Sequence, residues 1–306
     1  MPVGAAYAGV ILIWSTTPLA IQWSAQGASF SFALMARMLI GLAVCVGLIG
    51  ATRTRLPATP AARRLYLGSG LSLLVSMLLT YWGALHVPSG LISVIFGLSP
   101  LATGVFAALW LGERTLTPQR LAGLALALAG LWAIFGQPWP GDGDATLGTL
   151  AVAAGMTVQA LGLVWVKRQA AAVSALATTT GSLAVAVPGF VAAWLVADGG
   201  TLPPAIDNRA LVAIAYLGIA GSVVGFTLYY FVIRYLDAGR VALITLITPI
   251  AALALGQAFN AELIPPAGWG GIALIGSGLV LYEWHALRQL GGRAAASHKK
   301  GGTRAE

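Results

Sequence analysis

Charge is almost absent from long stretches of this chain, and no other feature restricts its fold as much. Runs of about 20 predominantly apolar residues, each long enough to cross a bilayer core as a helix, follow one another through the 306 residues. Charged residues make up 8% of the chain, against about 25% in soluble globular domains. A soluble fold of this length could not cover its surface with so few, so the natural solvent of the chain is lipid. Ten candidate spans emerge: residues 3–23, 29–51, 66–87, 89–111 and 118–136, then 147–166, 174–197, 210–234, 240–261 and 267–284. The connections are short and leave no room for a soluble domain. The first apolar run has no basic segment ahead of it and reads as a retained helix rather than a secretory signal.

A net charge of +8 raises the question of a nucleic-acid partner. The distribution answers it: the basic residues sit in short loops between apolar runs, not along one face. With the N-terminus placed inside the cell, the inner segments hold Arg53, Arg55, Arg63, Arg64, Arg114, Arg120, Lys167, Arg168, Arg234, Arg240, Arg288 and the basic residues of the tail. Arg209 alone falls in an outer loop, and Arg37 lies within a span. This is the split that the positive-inside rule demands, and a wrong span count would scramble it. The expectation is an all-α, multi-pass protein of the cell inner membrane with both termini cytoplasmic. The lone Cys45 can form no intramolecular disulfide and reads as a small buried hydrophobe.

The chain also matches itself. At a shift of 149 residues Tyr81 falls on Tyr230, Gly90 on Gly239, Pro100 on Pro249 and Glu113 on Glu262. After one deletion the shift is 148, and Pro118 falls on Pro266, Gly123 on Gly271 and Gly130 on Gly278. Each match is weak alone, but their common order argues for duplication. The organisation expected is a five-helix repeat over 1–137, an external linker at 138–146, a second five-helix repeat over 147–288 and a disordered cytoplasmic tail at 289–306. Five is odd, so the second copy enters the membrane from the opposite side. Inverted repeats of this kind are typical of secondary transporters.

Ile13-Trp14-Ser15 with Pro18, Arg37, and the segment from Pro100 to Gly112-Glu113-Arg114 followed by Pro118 and Gly123, with its second copy, carry a resemblance. Over roughly residues 4–288 the chain resembles the drug/metabolite transporter superfamily, in its ten-helix branch with two EamA-type repeats. One departure lies in the sixth span, where this chain has Gly155-Met156 and the family often has a Trp-Ala pair. The resemblance implies a bundle with a central cavity lined mainly by helices one, three, four, six, eight and nine. It also implies export of amino acids, nucleosides or other small metabolites, with uptake in some branches.

Arg37 is the sharpest single signal. It sits about eight residues into its span, roughly 12 Å deep at 1.5 Å per residue. An arginine there costs at least about 2.5 kcal/mol and must face protein or a wet cavity. Two roles are open to it: a structural one against backbone carbonyls, or contact with a carboxylate or phosphate of the substrate. Pro18, Pro100 and Pro249 fall within spans, where a missing amide bends a helix; they are candidate hinges or fixed bends. Polar and aromatic residues at mid-span form a candidate substrate lining: Trp14, Ser15 and Thr17, then Ser76, Thr80 and Tyr81, then Ser93 and Phe96, and from the second half Gln159, Thr227, Tyr230 and Thr245. Hydroxyls in such helices usually bond their own backbone or a neighbouring helix. Gln159 stands apart because an amide at depth needs partners at both ends. Glu113 and Glu262 are expected at helix ends on opposite sides of the membrane, as water-boundary residues or as gate contacts. Trp23, Trp110, Trp139, Trp269 and Trp284 fit an interfacial belt. Gly221 and Gly225 have the spacing of close helix packing.

Absences narrow the function. There is no HExxH, no phosphate-binding GxxxxGK[ST] and no nucleophilic triad at one depth. No metal and no cofactor are expected, and the chain is not expected to be an enzyme. The reading is a secondary carrier of a small metabolite working by alternating access, with efflux favoured. Proton-coupled uptake, drug efflux and, less strongly, a channel are the alternatives. The partners expected are a small-molecule substrate and the lipid bilayer, with the chain a monomer or weak homodimer.

Overall fold

The computed structural model describes residues 2–113, 116–135, 144–169, 173–236, 238–263, 266–284 and 287–288, leaving aside the side chains of Ile134, Phe135, Phe226, Tyr230, Ile233, Arg234, Ala238, Gly239, Arg240, Ala242 and Ala267. Most of the expected linker, Trp139 and the tail from 289 lie outside the described residues.

The apolar runs fold as helices: α1 (Val3–Gly27), α2 (Phe30–Thr52), α3 (Pro60–Gly83), α4 (Ser89–Phe96), α5 (Ser99–Leu111), α6 (Pro118–Phe135), α7 (Ala145–Gln169), α8 (Ala175–Ala197) and α9 (Asn208–Tyr216). A π-helical segment (Leu217–Val224) follows, then α10 (Gly225–Tyr235), α11 (Ala238–Asn260) and α12 (Pro266–Tyr282). Among the described residues, eight helical stretches are long and apolar enough to cross a membrane. The remaining two of the expected spans are the shorter apolar helices α6 and α12, of 18 and 17 residues. The outer surface of the bundle suits lipid, not water: Leu109 of α5, Trp132 of α6 and Val196 of α8 are 74%, 80% and 87% exposed. Polar caps start several helices. The hydroxyls of Ser29, Thr59 and Ser174 accept from Phe32, Ala62 and Ala177 amides, each satisfying a donor the helix cannot.

Two expected spans are not continuous α-helices. The fourth breaks at Gly97 and Leu98, so Pro100 stands in the first turn of α5. There its missing N–H leaves no hydrogen bond unmade, and it stays within the fourth apolar span, Ser89–Leu111. The eighth span carries the π segment. Pro18 and Pro249 do lie inside α1 and α11. The break and the second proline meet: a Cβ on Gly97 would stand 3.2 Å from Pro249 Cγ.

Glycines set the helix contacts. In α6 and α12, Gly123 faces Gly278 and Gly130 faces Gly271, with a Cβ added at Gly123, Gly130 or Gly278 only 2.5–2.6 Å from the opposite carbonyl oxygen. An early residue of each helix meets a late residue of the other, so α6 and α12 run antiparallel. These four glycines are the positions matched by the internal shift of 148 residues; each copy of the motif packs on the other. Likewise α7 lies on α3. A Cβ on Gly155 would come 2.8 Å from Ser76 O and Thr80 Oγ1, so a tryptophan at this point of the sixth span could not keep the contact. Elsewhere α2 packs on α8, α1 on α9, α10 and α11, α4 on α11, and α5 on α7. The main core joins α1 to α4, α7, α8 and the π segment through residues such as Met38, Tyr81, Ile95 and Phe190.

Candidate functional site

Arg37 is 6% exposed. Its Nε donates to Ser222 Oγ at 3.4 Å and its Nη1 to Tyr81 Oη at 3.2 Å. Both are long for a cation, which normally draws its acceptors to 2.7–2.9 Å. Cζ lies 5.9 Å from the Tyr81 ring centroid; with the hydroxyl as acceptor this is an end-on approach, so attraction to the ring face adds little. Guanidinium has five N–H donors. Among the described residues no carboxylate lies within salt-bridge distance of it, and three of its donors have no protein acceptor. A buried cation in this condition carries an uncompensated desolvation cost.

The surroundings are built for close approach. Ser222 sits in the π segment and returns its own hydroxyl proton to Leu217 O, five residues back, at 2.9 Å. Gly218 lets this segment touch α2 beside the arginine: a Cβ there would stand 3.1 Å from Arg37 O and 2.7 Å from Ile40. Gly221 faces Arg37 Nη2 and Thr17 Oγ1, while Gly225 faces Ile13 and Trp14 of α1. The glycine pair thus packs inside this chain. Widened π turns recur at functional sites because they re-aim side chains and free carbonyls.

The predicted lining divides into groups. Arg37 and Tyr81 are together, with Thr17 one glycine away. Ser76 and Thr80 share a different face of α3 from Tyr81: Thr80 donates to Ser76 O at 2.8 Å, and Ser76 donates to Gln159 Oε1 of α7 at 3.4 Å. This group reaches from α3 to α7 and is separate, in its hydrogen bonds, from the Arg37 and Tyr81 pair. Thr16 and Thr17 bond the Leu12 and Ile13 carbonyls next to the Pro18 bend, and Thr16 shares a 2.6 Å hydrogen bond with Tyr216. Ser15 Oγ is buried without a hydrogen-bond partner among the described residues. Ser93 is buried and Phe96 half-buried on α4. Trp14 stacks obliquely on Tyr229, 4.6 Å between ring centroids, in a separate apolar cluster of α1, α10 and α11. Thr227 is exposed and bonds its own helix at Val223 O. Thr245 is half-buried, and the side chain of Tyr230 lies outside the described residues. A cavity of about 750 Å³ between α4, α11 and α12 is lined by apolar groups and contains none of the polar candidates; Pro249 is on its wall.

A second polar group closes one end of the bundle. Glu262 accepts the backbone amides of Ser89 and Gly90, at 2.9 and 3.1 Å, at the start of α4. Asn260 donates to Glu262 and to Gln22 Oε1, at 3.1 and 2.8 Å, and accepts from Trp23 Nε1 at 3.2 Å. Gln22 donates onward to Val87 O at 3.0 Å. The repeat-related Glu113 instead pairs with Lys167 at the surface. Ser222, Gln22 and Asn260 escaped the sequence reading. Ser222 was one hydroxyl among many, and the two amides looked like ordinary residues at the ends of spans. Among the described residues no His, Cys, Asp and Glu cluster could hold a metal ion.

The profile of the EamA-like transporter family matches residues 4–136 and 146–284. A probable terminal-alkyne amino-acid exporter of Streptantibioticus cattleyicolor is 28% identical over 304 residues, 94% of either chain. A probable amino-acid metabolite efflux pump of Escherichia coli is 26% identical over 71% of this chain and 75% of its own. An uncharacterized inner membrane transporter of Escherichia coli is 25% identical over 64% of this chain and 62% of its own. A protein crystal structure, 20% identical, superposes with a TM-score of 0.64 over 93% of this chain and 98% of its own, a likeness of fold.

Proposed function

The chain belongs to the EamA-like transporter family, and from that membership we propose that it exports amino acids or amino-acid metabolites across the inner membrane, with Arg37 taking the substrate carboxylate. It is a multi-pass membrane transporter with two EamA repeats. In the proposed arrangement all ten spans cross the bilayer, both termini are cytoplasmic and the halves are inverted. The antiparallel crossing of α6 and α12 supports the inversion.

One observation carries the substrate class. Arg37 is buried, lacks a carboxylate among the described residues and retains donors beyond those engaged by Ser222 and Tyr81. A carboxylate would accept two of them in parallel and remove the penalty of an unpaired buried charge. The names of two relatives as amino-acid or amino-acid-metabolite exporters agree with that chemistry. Ser76, Thr80 and Gln159, the polar group between α3 and α7, offer oxygen acceptors for an ammonium group. Among the described residues no acid lies within salt-bridge distance of Arg37, which favours facilitated exchange, the substrate running down its own gradient, over proton coupling.

Counterflow in proteoliposomes tests this. Vesicles preloaded with pooled amino acids should accumulate a trace of labelled amino acid, and those loaded with nucleosides or sugars should not. Arg37→Ala should abolish counterflow in folded protein. Amines made by decarboxylating the substrates should compete at least about tenfold less well, the loss of one charge-assisted contact. Counterflow of nucleosides alone, or equal competition by the amines, would overturn the assignment. Alkalinisation of a weakly buffered lumen that tracks substrate movement would overturn the uncoupled mechanism.

A further inference from the structure

We propose that the Glu262 carboxylate is the latch of the external gate: it clasps the start of α4 while that end is shut, and lets go when the carrier opens outward. This rests on the transporter reading above and adds to it a part that moves. Three features single Glu262 out from an ordinary boundary acid. It accepts main-chain amides rather than a mobile side chain, from Ser89 and Gly90. It is braced by Asn260, which is itself tied to Gln22 and Trp23 of α1. And Gly256 leaves the room it occupies, since a Cβ there would stand 2.3 Å from Glu262 Oε2. Through these bonds α1, α4 and α11 meet at a single carboxylate, and a negative charge at a helix start is favoured by the helix dipole.

The repeat says which atoms matter. The shift of 149 residues pairs Glu262 with Glu113 and the receiving Gly90 with Gly239, so the carboxylate and the glycine opposite it are both duplicated. Gly90 must be small: a Cβ there would come 2.6 Å from Leu253 Cδ2 and 3.0 Å from Leu253 Cα. By the same spacing Ala238 and Gly239, at the start of α11, stand to Glu113 as Ser89 and Gly90 stand to Glu262. Exchange of roles between the copies is how an inverted repeat alternates access. In the second state Glu113 leaves Lys167 and clasps α11 while Glu262 is free.

The test needs no known substrate. In a Cys45→Ala background, Val87→Cys reports the external end beneath the latch, and Leu236→Cys, its repeat mate, reports the cytoplasmic end. An impermeant maleimide is applied to each face of sealed vesicles. Glu262→Gln should raise labelling of V87C about tenfold, as loss of a charge-assisted contact predicts, and should lower labelling of L236C. Glu262→Asp should restore part of both, and Asn260→Ala should give the same pair of changes at smaller size. A rise at V87C with no fall at L236C means mere fraying and overturns the proposal, as do unchanged rates at both reporters. Counterflow on the same samples separates the readings. Amino-acid exchange with unmoved labelling removes the latch and keeps the carrier; moved labelling without amino-acid exchange keeps the latch and removes the assigned substrate.

Discussion

The ends of α5 and α11 are copies of one turn, yet their acids have taken different partners. Gly112 and Ala261 occupy the same place in the two repeats and both are left-handed, at φ 66 and 47. The next amide, of Glu113 or Glu262, bonds back six residues to Ala107 O or Gly256 O, a helix-ending turn that satisfies an orphan carbonyl. Identical local chemistry then diverges. Glu262 is led to the amides of α4, whereas Glu113 meets Lys167, whose side chain is 60% exposed. An exposed ion pair is worth about 0–1 kcal/mol, while a carboxylate holding main-chain amides leaves unmet donors when removed. The lesson is that duplication copies the turn but not the contact, and a carrier needs its two ends to differ in any one state.

The comparison can be broken in graded ways. The largest effect expected is from Glu262→Ala, which should lower the stability of this conformation by about 2 kcal/mol, read as a fall in the thermal unfolding midpoint by intrinsic fluorescence. Next come the paired turn residues. Gly112 has open space around its absent side chain, so Gly112→Ala isolates backbone strain and should cost about 1 kcal/mol. Ala261→Gly should gain a similar amount in the same assay, and a loss at that site would mean the alanine side chain has a packing role. The smallest effect belongs to Glu113→Gln, which should change this conformation's stability by less than about 1 kcal/mol and fade further in high salt. An effect of Glu113→Gln as large as that of Glu262→Ala would erase the distinction between the two ends.

Much of the architecture was legible because lipid imposes it. A helix is the local answer to a backbone that finds no water, so the apolar runs marked their own ends within a few residues. The glycines paired by the repeat were legible too, and Gly123 against Gly278 is where they were used. That Pro100 opens a new helix within its span was not legible, because a proline inside an apolar run and a proline opening a new helix look alike in sequence. The residues of the candidate site were legible in part. Arg37, Tyr81, Ser76 and Gln159 stood out as polar residues at depth. Ser222 did not, since its importance comes from a π turn that aims it at α2.

By itself the sequence determined that this chain lives in a membrane, that it is all helix there, and that it is built twice. Those follow from hydropathy, charge placement and self-similarity, each a property of neighbouring residues or of a fixed shift. Only the tertiary structure decided which partner each buried polar group found. Arg37 reaches Ser222 across 185 positions and Gln22 meets Asn260 across 238. Such pairs depend on how helices cross and on which glycines let backbones approach. In a bilayer an unpaired polar group has no water to fall back on, so the crossing geometry decides which buried polar groups are paired and which keep unused donors.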